Sequence, residues 1–196
     1  HAYGETVEVS GELRRYSVGK HEVDLAGEYR TVNGNQALAW GLVAGSQLGD
    51  IALMLGSYPI TPASTLLHTL SGLKEFGVMT FQAEDEIAAI CGAIGASFAG
   101  NLGVTSSSGP GIALKTEAMG LAISTELPLI VVDVQRAGPS TGLPTKTEQS
   151  DLFQAVWGRN GDSSIVVLAT SNPQDCFDVG IEAVRIATKY MTPVMI

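Results

Sequence analysis

Leu102–Val134, LGVTSSSGPGIALKTEAMGLAISTELPLIVVDV, is the stretch that decides the fold. Leu102–Ser106 is a short apolar run that ends in hydroxyls, and Pro128–Val134 is a longer run broken only by Asp133. Continuous apolar runs of this length read as strands covered on both faces. Between them Gly111–Ser124, rich in Ala, Leu and Met, reads as a helix. Strand, helix and strand in this order form the unit of a parallel sheet.

The same alternation extends in both directions. Gly34–Leu48 is predicted helical, with Ala37, Leu38, Leu42 and Val43 on one face. Asp50–Gly56 and Val78–Gln82 are predicted strands. Helices are expected over Pro62–Phe76 and Glu84–Ala99. After Pro128–Val134 comes a Gly/Pro/Ser/Thr loop, Arg136–Gln149, then a short helix over Asp151–Trp157. A strand at Ile165–Ala169, a helix at Pro173–Tyr190 and a strand from Pro193 complete the pattern. The expected class is α/β, a parallel sheet with helices on both faces, formed by residues 31–196. Residues 1–30 are polar and charged and read as an arm or interdomain linker.

Hydrophobic residues make up 45% of the 196 and aromatics only 6%, with 23 glycines, so the core should be closely packed aliphatic side chains. A mean hydropathy of +0.22 suggests apolar surface covered by a partner chain. The formal net charge of -9 disfavours nucleic acid and anionic membrane surfaces as partners. No run is long enough to span a bilayer and no signal peptide is visible, so a cytoplasmic location is expected. Cys91 and Cys176 form no CxxC and are expected to be buried free thiols, leaving no ligand set for a cluster or a structural zinc.

In open parallel sheets ligands bind beyond the carboxyl ends of the strands, and four segments fall there. Tyr58-Pro59-Ile60-Thr61-Pro62 holds one hydroxyl between two prolines. Thr61 can either contact a ligand or cap the next helix, with Pro62 in its first turn. Glu84-Asp85-Glu86 opens a helix of small residues, which is expected to be buried against another backbone or a flat ligand. On such a helix Glu84 and Glu86 face opposite ways, so only one can look into a given site. Ser108-Gly109-Pro110-Gly111 presents backbone amides without a lysine-type phosphate loop. Arg136, after the strongest strand, can grip a carboxylate or pin its own loop through Asp133, Glu148 or Asp151.

In order along the chain, Gly34-Asn35-Gln36-Ala37, Tyr58-Pro59-Ile60-Thr61-Pro62, Glu84-Asp85-Glu86-Ile87-Ala88-Ala89, Ser108-Gly109-Pro110-Gly111 and Gln135-Arg136 with Gly138-Pro139-Ser140-Thr141-Gly142 resemble the α subunit of 2-oxoacid:ferredoxin oxidoreductases, in its 2-oxoglutarate, KorA-like branch. The resemblance runs from about Gly34 to the end. It implies the pyrimidine-binding domain of a thiamine-diphosphate fold, in which one glutamate hydrogen-bonds N1′ of the aminopyrimidine. Glu86 is assigned that role, because Gly95 follows it at the helical spacing usual in thiamine-diphosphate enzymes; Glu84 is the alternative. The resemblance places Tyr58, Pro59, Ile60, Ser108 and Gly109 at the cofactor, and Thr61, Arg136, Ser140 and Thr141 at the 2-oxoacid.

The resemblance also implies oxidative decarboxylation of a 2-oxoacid, with coenzyme A taking the acyl group and ferredoxin the electrons. The chain has no GDG motif for the diphosphate and Mg²⁺, and no cluster cysteines. Both are expected on a β subunit, so this chain alone should be inactive; the later domain of the α subunit is also missing. Half of another thiamine-diphosphate enzyme, or a nucleotide-binding module built on Ser108–Gly111, are the competing readings.

Overall fold

The computed structural model describes residues 27–196. The chain divides into two compact units, His1–Thr31 and Val32–Ile196. The arm expected over residues 1–30 thus falls almost wholly outside the described residues.

The second unit is a six-stranded sheet, all parallel, in the order β2-β1-β3-β4-β6-β5. Its elements are α1 (Gly34–Leu48), β1 (Leu53–Ser57), α2 (Ser64–Ser71), a 3₁₀ turn (Lys74–Phe76), β2 (Met79–Gln82), α3 (Glu86–Phe98) and β3 (Leu102–Ser107). There follow α4 (Gly109–Leu114), α5 (Thr116–Ser124), β4 (Leu129–Asp133), α6 (Leu152–Trp157), β5 (Val166–Val167), α7 (Pro173–Tyr190) and β6 (Pro193–Met195). The expected α/β class and parallel sheet are present.

Successive strand residues point to opposite faces, and each face has its own core. Leu53, Leu55, Leu102, Val104, Ile130 and Val132 join α1, α2 and α7 in the larger one. Leu129, Val131 and Met195 join α3, α4 and α5 in the smaller one. α1 begins with a capping box, in which Asn33 accepts from the Gln36 amide at 2.9 Å and Gln36 Oε1 accepts from the Asn33 amide. α7 begins with Asn172 as cap and Pro173 in its first turn.

Three helix expectations change. α2 starts at Ser64 with Ala63 as an unbonded cap, so Thr61 caps nothing, and the Thr61–Pro62 peptide is cis. The expected Gly111–Ser124 helix is two helices meeting at Lys115, whose amide donates to the carbonyls of both Gly111 and Ile112. In α3 only Glu86 lies in the first turn; Asp85 is the cap, accepting from the Ala88 amide at 2.7 Å, and Glu84 precedes the helix. The side chain of Asp85 satisfies an amide that would otherwise have no partner, so the helix begins two residues later than expected.

α3 is packed backbone to backbone on the sheet, as its small residues implied. A Cβ at Gly56 would stand 2.3 Å from the Ala89 carbonyl, and one at Gly103 2.2 Å from that of Ala93. It is not wholly buried, however: Ile87 and Phe98 are exposed on its outer side. Cys91 is exposed there too, against the expectation of two buried thiols, while Cys176 is buried. A helix on the face of a sheet buries only the stripe that meets it.

Candidate functional site

The carboxyl ends of β1, β3 and β4 lie side by side, in register from Ser57 to Ser106 and from Ser107 to Asp133. The Ala83 amide donates to the Ser57 carbonyl at 2.9 Å, so the chain leading into α3 leaves the sheet beside the exit of β1. Three segments therefore meet at this edge: Tyr58–Pro62, Asp85–Glu86 and Ser107–Gly111.

Glu86 is half-buried and lies on Gly111. A Cβ at Gly111 would come within 2.8 Å of Glu86 Cγ and collide with Ser107 Oγ, so glycine is required for this contact. Ser107 Oγ is buried and has no hydrogen-bond partner among the described residues. Ser108 Oγ is committed to the Val134 carbonyl at 2.8 Å, and Gly109 is pressed against Asp151. Tyr58 and Pro59 are exposed and Ile60 is half-buried. Glu84 is exposed.

Arg136 is 5% exposed and draws two loops together. Its Nη1 donates to the Thr61 carbonyl and its Nη2 to the Thr141 carbonyl, both at 2.7 Å. None of Asp133, Glu148 or Asp151 is its hydrogen-bonding partner; Glu148 instead accepts from the Gly138 amide at 3.1 Å. Arg136 Nε is buried without a partner. The loop turns tightly: the Leu143 amide donates to the Ala137 carbonyl, Gly138–Pro139 is cis, and Ser140 and Gly142 take positive φ of 56° and 57°. A Cβ at Gly142 would clash with the Ala137 carbonyl, so only glycine serves there.

Arg136, Ser140, Pro139, Gly109 and Pro110 line one open cleft of about 830 Å³, together with Asp151 and Phe153. Thr61 and Thr141 belong to this cluster through their carbonyls on Arg136, although their side chains do not line the cleft. Glu86 does not line it either. It lies against Gly111, and Gly109 and Pro110 two residues earlier form the cleft wall. Glu86 and Arg136 thus flank a single turn, Ser108–Gly111.

Two features escaped the sequence reading. Lys115 is completely buried; its Nζ donates to the Glu86 carbonyl and to Thr105 Oγ1, each at 2.9 Å. Burial pushes its ammonium down to about 8, against the opposing carboxylates of Glu86 and Asp85. Its spacing from Ile112, Met119 and Ala122, all buried, puts a lysine on an apolar stripe, and that was the signal. Asp133, at the end of β4, faces Asp151. Burial, and then the neighbouring Asp151 carboxylate, push Asp133 up to about 7. Nothing in the sequence marks that pair, because it forms only when residues eighteen apart fold together.

The donor set suits one end of thiamine diphosphate. A half-buried carboxylate over a glycine, beside a hydroxyl with no partner, can meet the polar edge of a flat heterocycle. The described residues hold no group of three His, Cys, Asp or Glu that could bind the metal a diphosphate needs. Nor is any helix among them long and apolar enough to cross a membrane.

Residues 51–196 match the family described as pyruvate flavodoxin/ferredoxin oxidoreductase, thiamine diphosphate-binding, and the chain belongs to that family. It is 59% identical over 194 residues to the 2-oxoglutarate oxidoreductase subunit KorA of Mycobacterium tuberculosis, covering 99% of this chain and 29% of that one. Identity to the 2-oxoglutarate synthase subunit KorA of Archaeoglobus fulgidus is 43% over 171 residues, 86% of this chain and 48% of the relative. A solved 2-oxoglutarate:ferredoxin oxidoreductase from Magnetococcus marinus, with 2-oxoglutarate, coenzyme A and succinyl-CoA bound, superposes with a TM-score of 0.76 at 45% identity, over 84% of this chain and 28% of that one. The chain therefore spans less than half the length of these relatives.

Proposed function

We propose that this chain forms the pyrimidine side of the active site in the α subunit of a 2-oxoacid:ferredoxin oxidoreductase acting on 2-oxoglutarate. The reaction is oxidative decarboxylation to the acyl-CoA and CO₂, with electrons passed to ferredoxin. The observation that carries the reading is the Glu86 carboxylate on Gly111 at the strand ends, in a chain whose relatives are named for this chemistry.

Bound thiamine diphosphate supplies the nucleophilic carbon that attacks the 2-oxo group and the electron sink that loss of CO₂ requires. Glu86 would hydrogen-bond N1′ of the aminopyrimidine through its carboxyl group and so favour the imino form of the ring. Tyr58, Pro59, Ile60, Ser108 and Gly109 shape the ring's surroundings, Ser108 through its backbone because its hydroxyl is already engaged. Arg136 keeps donors beyond the two that bind Thr61 and Thr141, and these meet the substrate's carboxylate in the cleft, with Ser140 beside them.

The diphosphate, its Mg²⁺ and the iron–sulfur cluster lie on a β subunit, and the complex works in the cytoplasm. Support for the partner comes from the apolar side chains that α6 leaves exposed, Phe153 and Trp157 among them. The test is methyl viologen reduction by the complete α subunit reconstituted with its β chain. Reduction that needs both 2-oxoglutarate and coenzyme A is expected. Reduction with a different 2-oxoacid alone would replace the substrate, and none with any 2-oxoacid would overturn the reading.

A further inference from the structure

Lys115 stands where an uncharged side chain would be cheaper. Its neighbours on the buried stripe are Ile112, Met119 and Ala122, and a methionine of similar length would pack there with no charge to desolvate. Among the described residues no carboxylate is close enough to form an ion pair with it; its acceptors are a carbonyl and a hydroxyl. It also lies at the N-terminal end of α3, where the helix dipole opposes a cation. The groups that favour its charge are Glu86, Asp85 and Cys91, all on or just before α3.

The two acceptors explain the placement. The Glu86 carbonyl belongs to the first turn of α3, and Thr105 is on β3, two residues before Ser107. One ammonium thus ties the backbone of Glu86 to the strand that leads into Gly111, the surface on which the Glu86 carboxylate lies. We propose that Lys115 is a positioning residue for Glu86, fixing the height and rotation of the first turn of α3 so that the carboxylate stands at one place over the Ser107–Gly111 turn. The proposal rests on the role given to Glu86 above.

The test is a cycle of Lys115→Met, Glu86→Gln and the double variant in the reconstituted complex, with thiamine diphosphate affinity measured by calorimetry alongside turnover. Lys115→Met should lower kcat by about ten- to a hundredfold through misplacement of the carboxylate, with KM for the 2-oxoacid within about threefold. Its melting temperature should be unchanged or higher, because a buried charge is replaced by an apolar side chain of similar volume. Cofactor affinity of the parent should weaken on the alkaline side with a midpoint of about 8, and that limb should vanish in Lys115→Met. The double variant should be no worse than Glu86→Gln alone. Normal turnover and affinity in Lys115→Met with Glu86→Gln inactive would overturn the lysine proposal alone, as would a loss that follows melting temperature. Near-normal turnover in Glu86→Gln would overturn the role of Glu86 and this proposal with it.

Discussion

The two faces of the sheet are made of different material. On one, α1 and α7 cross so closely that a Cβ at Gly41 would strike the Phe177 carbonyl, and the space beneath is filled by Leu42, Leu53, Leu55, Leu66 and Ile130. Among the described residues, the buried polar side chains on that face are serines, Ser46 on α1 and the Ser57–Ser106 pair at the strand ends. On the other, α3 rests directly on the strand backbones at Gly56 and Gly103, and next to its aliphatic cluster lie Lys115, Thr105 and Ser107. The first face is a packed hydrophobic layer whose role is stability. The second gives up apolar contact at the base of α3, where Lys115 is bound to Thr105 and Ser107 Oγ has no partner among the described residues.

If the faces divide the work in this way, substitutions on them should separate stability from activity. The largest effect should come from Glu86→Gln in the complete enzyme: turnover falls by about a hundredfold or more while the melting temperature stays put. Loss of melting temperature together with activity would erase the contrast. Next, Leu42→Ala in the opposite core should cost about 2–5 kcal/mol in denaturant unfolding, yet leave kcat within about twofold wherever the protein is folded. Gly103→Ala should fall between the two. The new methyl meets the Ala93 carbonyl and must lift α3, costing about 1–3 kcal/mol and weakening cofactor affinity by more than Leu42→Ala does. Equal affinity in the two variants would show that the seating of α3 does not matter.

The smallest effect concerns Asp133 at the end of β4, whose neighbour Asp151 lines the cleft. Asp133 is raised from 3.8 to about 7 in the folded protein, so its proton stabilises the fold fully below about pH 4, and that contribution is lost as pH rises through about 7. Asp133→Asn keeps a neutral partner for Asp151 at every pH. The parent should therefore lose melting temperature between pH 5 and 8 by a few degrees more than the variant does. Parallel pH profiles would show that Asp133 is not raised by the fold.

The two faces were not equally legible. The layer of α1 and α7 could be read residue by residue: Gly34–Leu48 and Pro173–Tyr190 are helices with the bounds that their apolar period and caps imply. The strands were found within a few residues, since an apolar run between turn formers has few alternatives. On the α3 face local signals misplaced the details. Glu84, Asp85 and Glu86 look alike as a string, and only the hydrogen bond from the Ala88 amide makes Asp85 the cap and leaves Glu84 outside. Lys115 sits within the single helix expected over Gly111–Ser124, and only the fold shows its ammonium bound to the Glu86 carbonyl and Thr105 Oγ1. Arg136 offered three carboxylates as partners and chose two carbonyls, because the Thr61 and Thr141 loops converge on it from opposite sides of the site.

The sequence alone determined the order of elements, the parallel α/β class and the strand-end segments that matter, because each depends on residues within one or two turns of chain. Tertiary structure alone decided which polar groups meet: Glu86 on Gly111, Lys115 between Glu86 and Thr105, Arg136 between two loops, Asp133 against Asp151. Hydrogen bonding and charge act over a few ångströms, and the partners involved are brought within that range only by the folding of segments far apart in the chain.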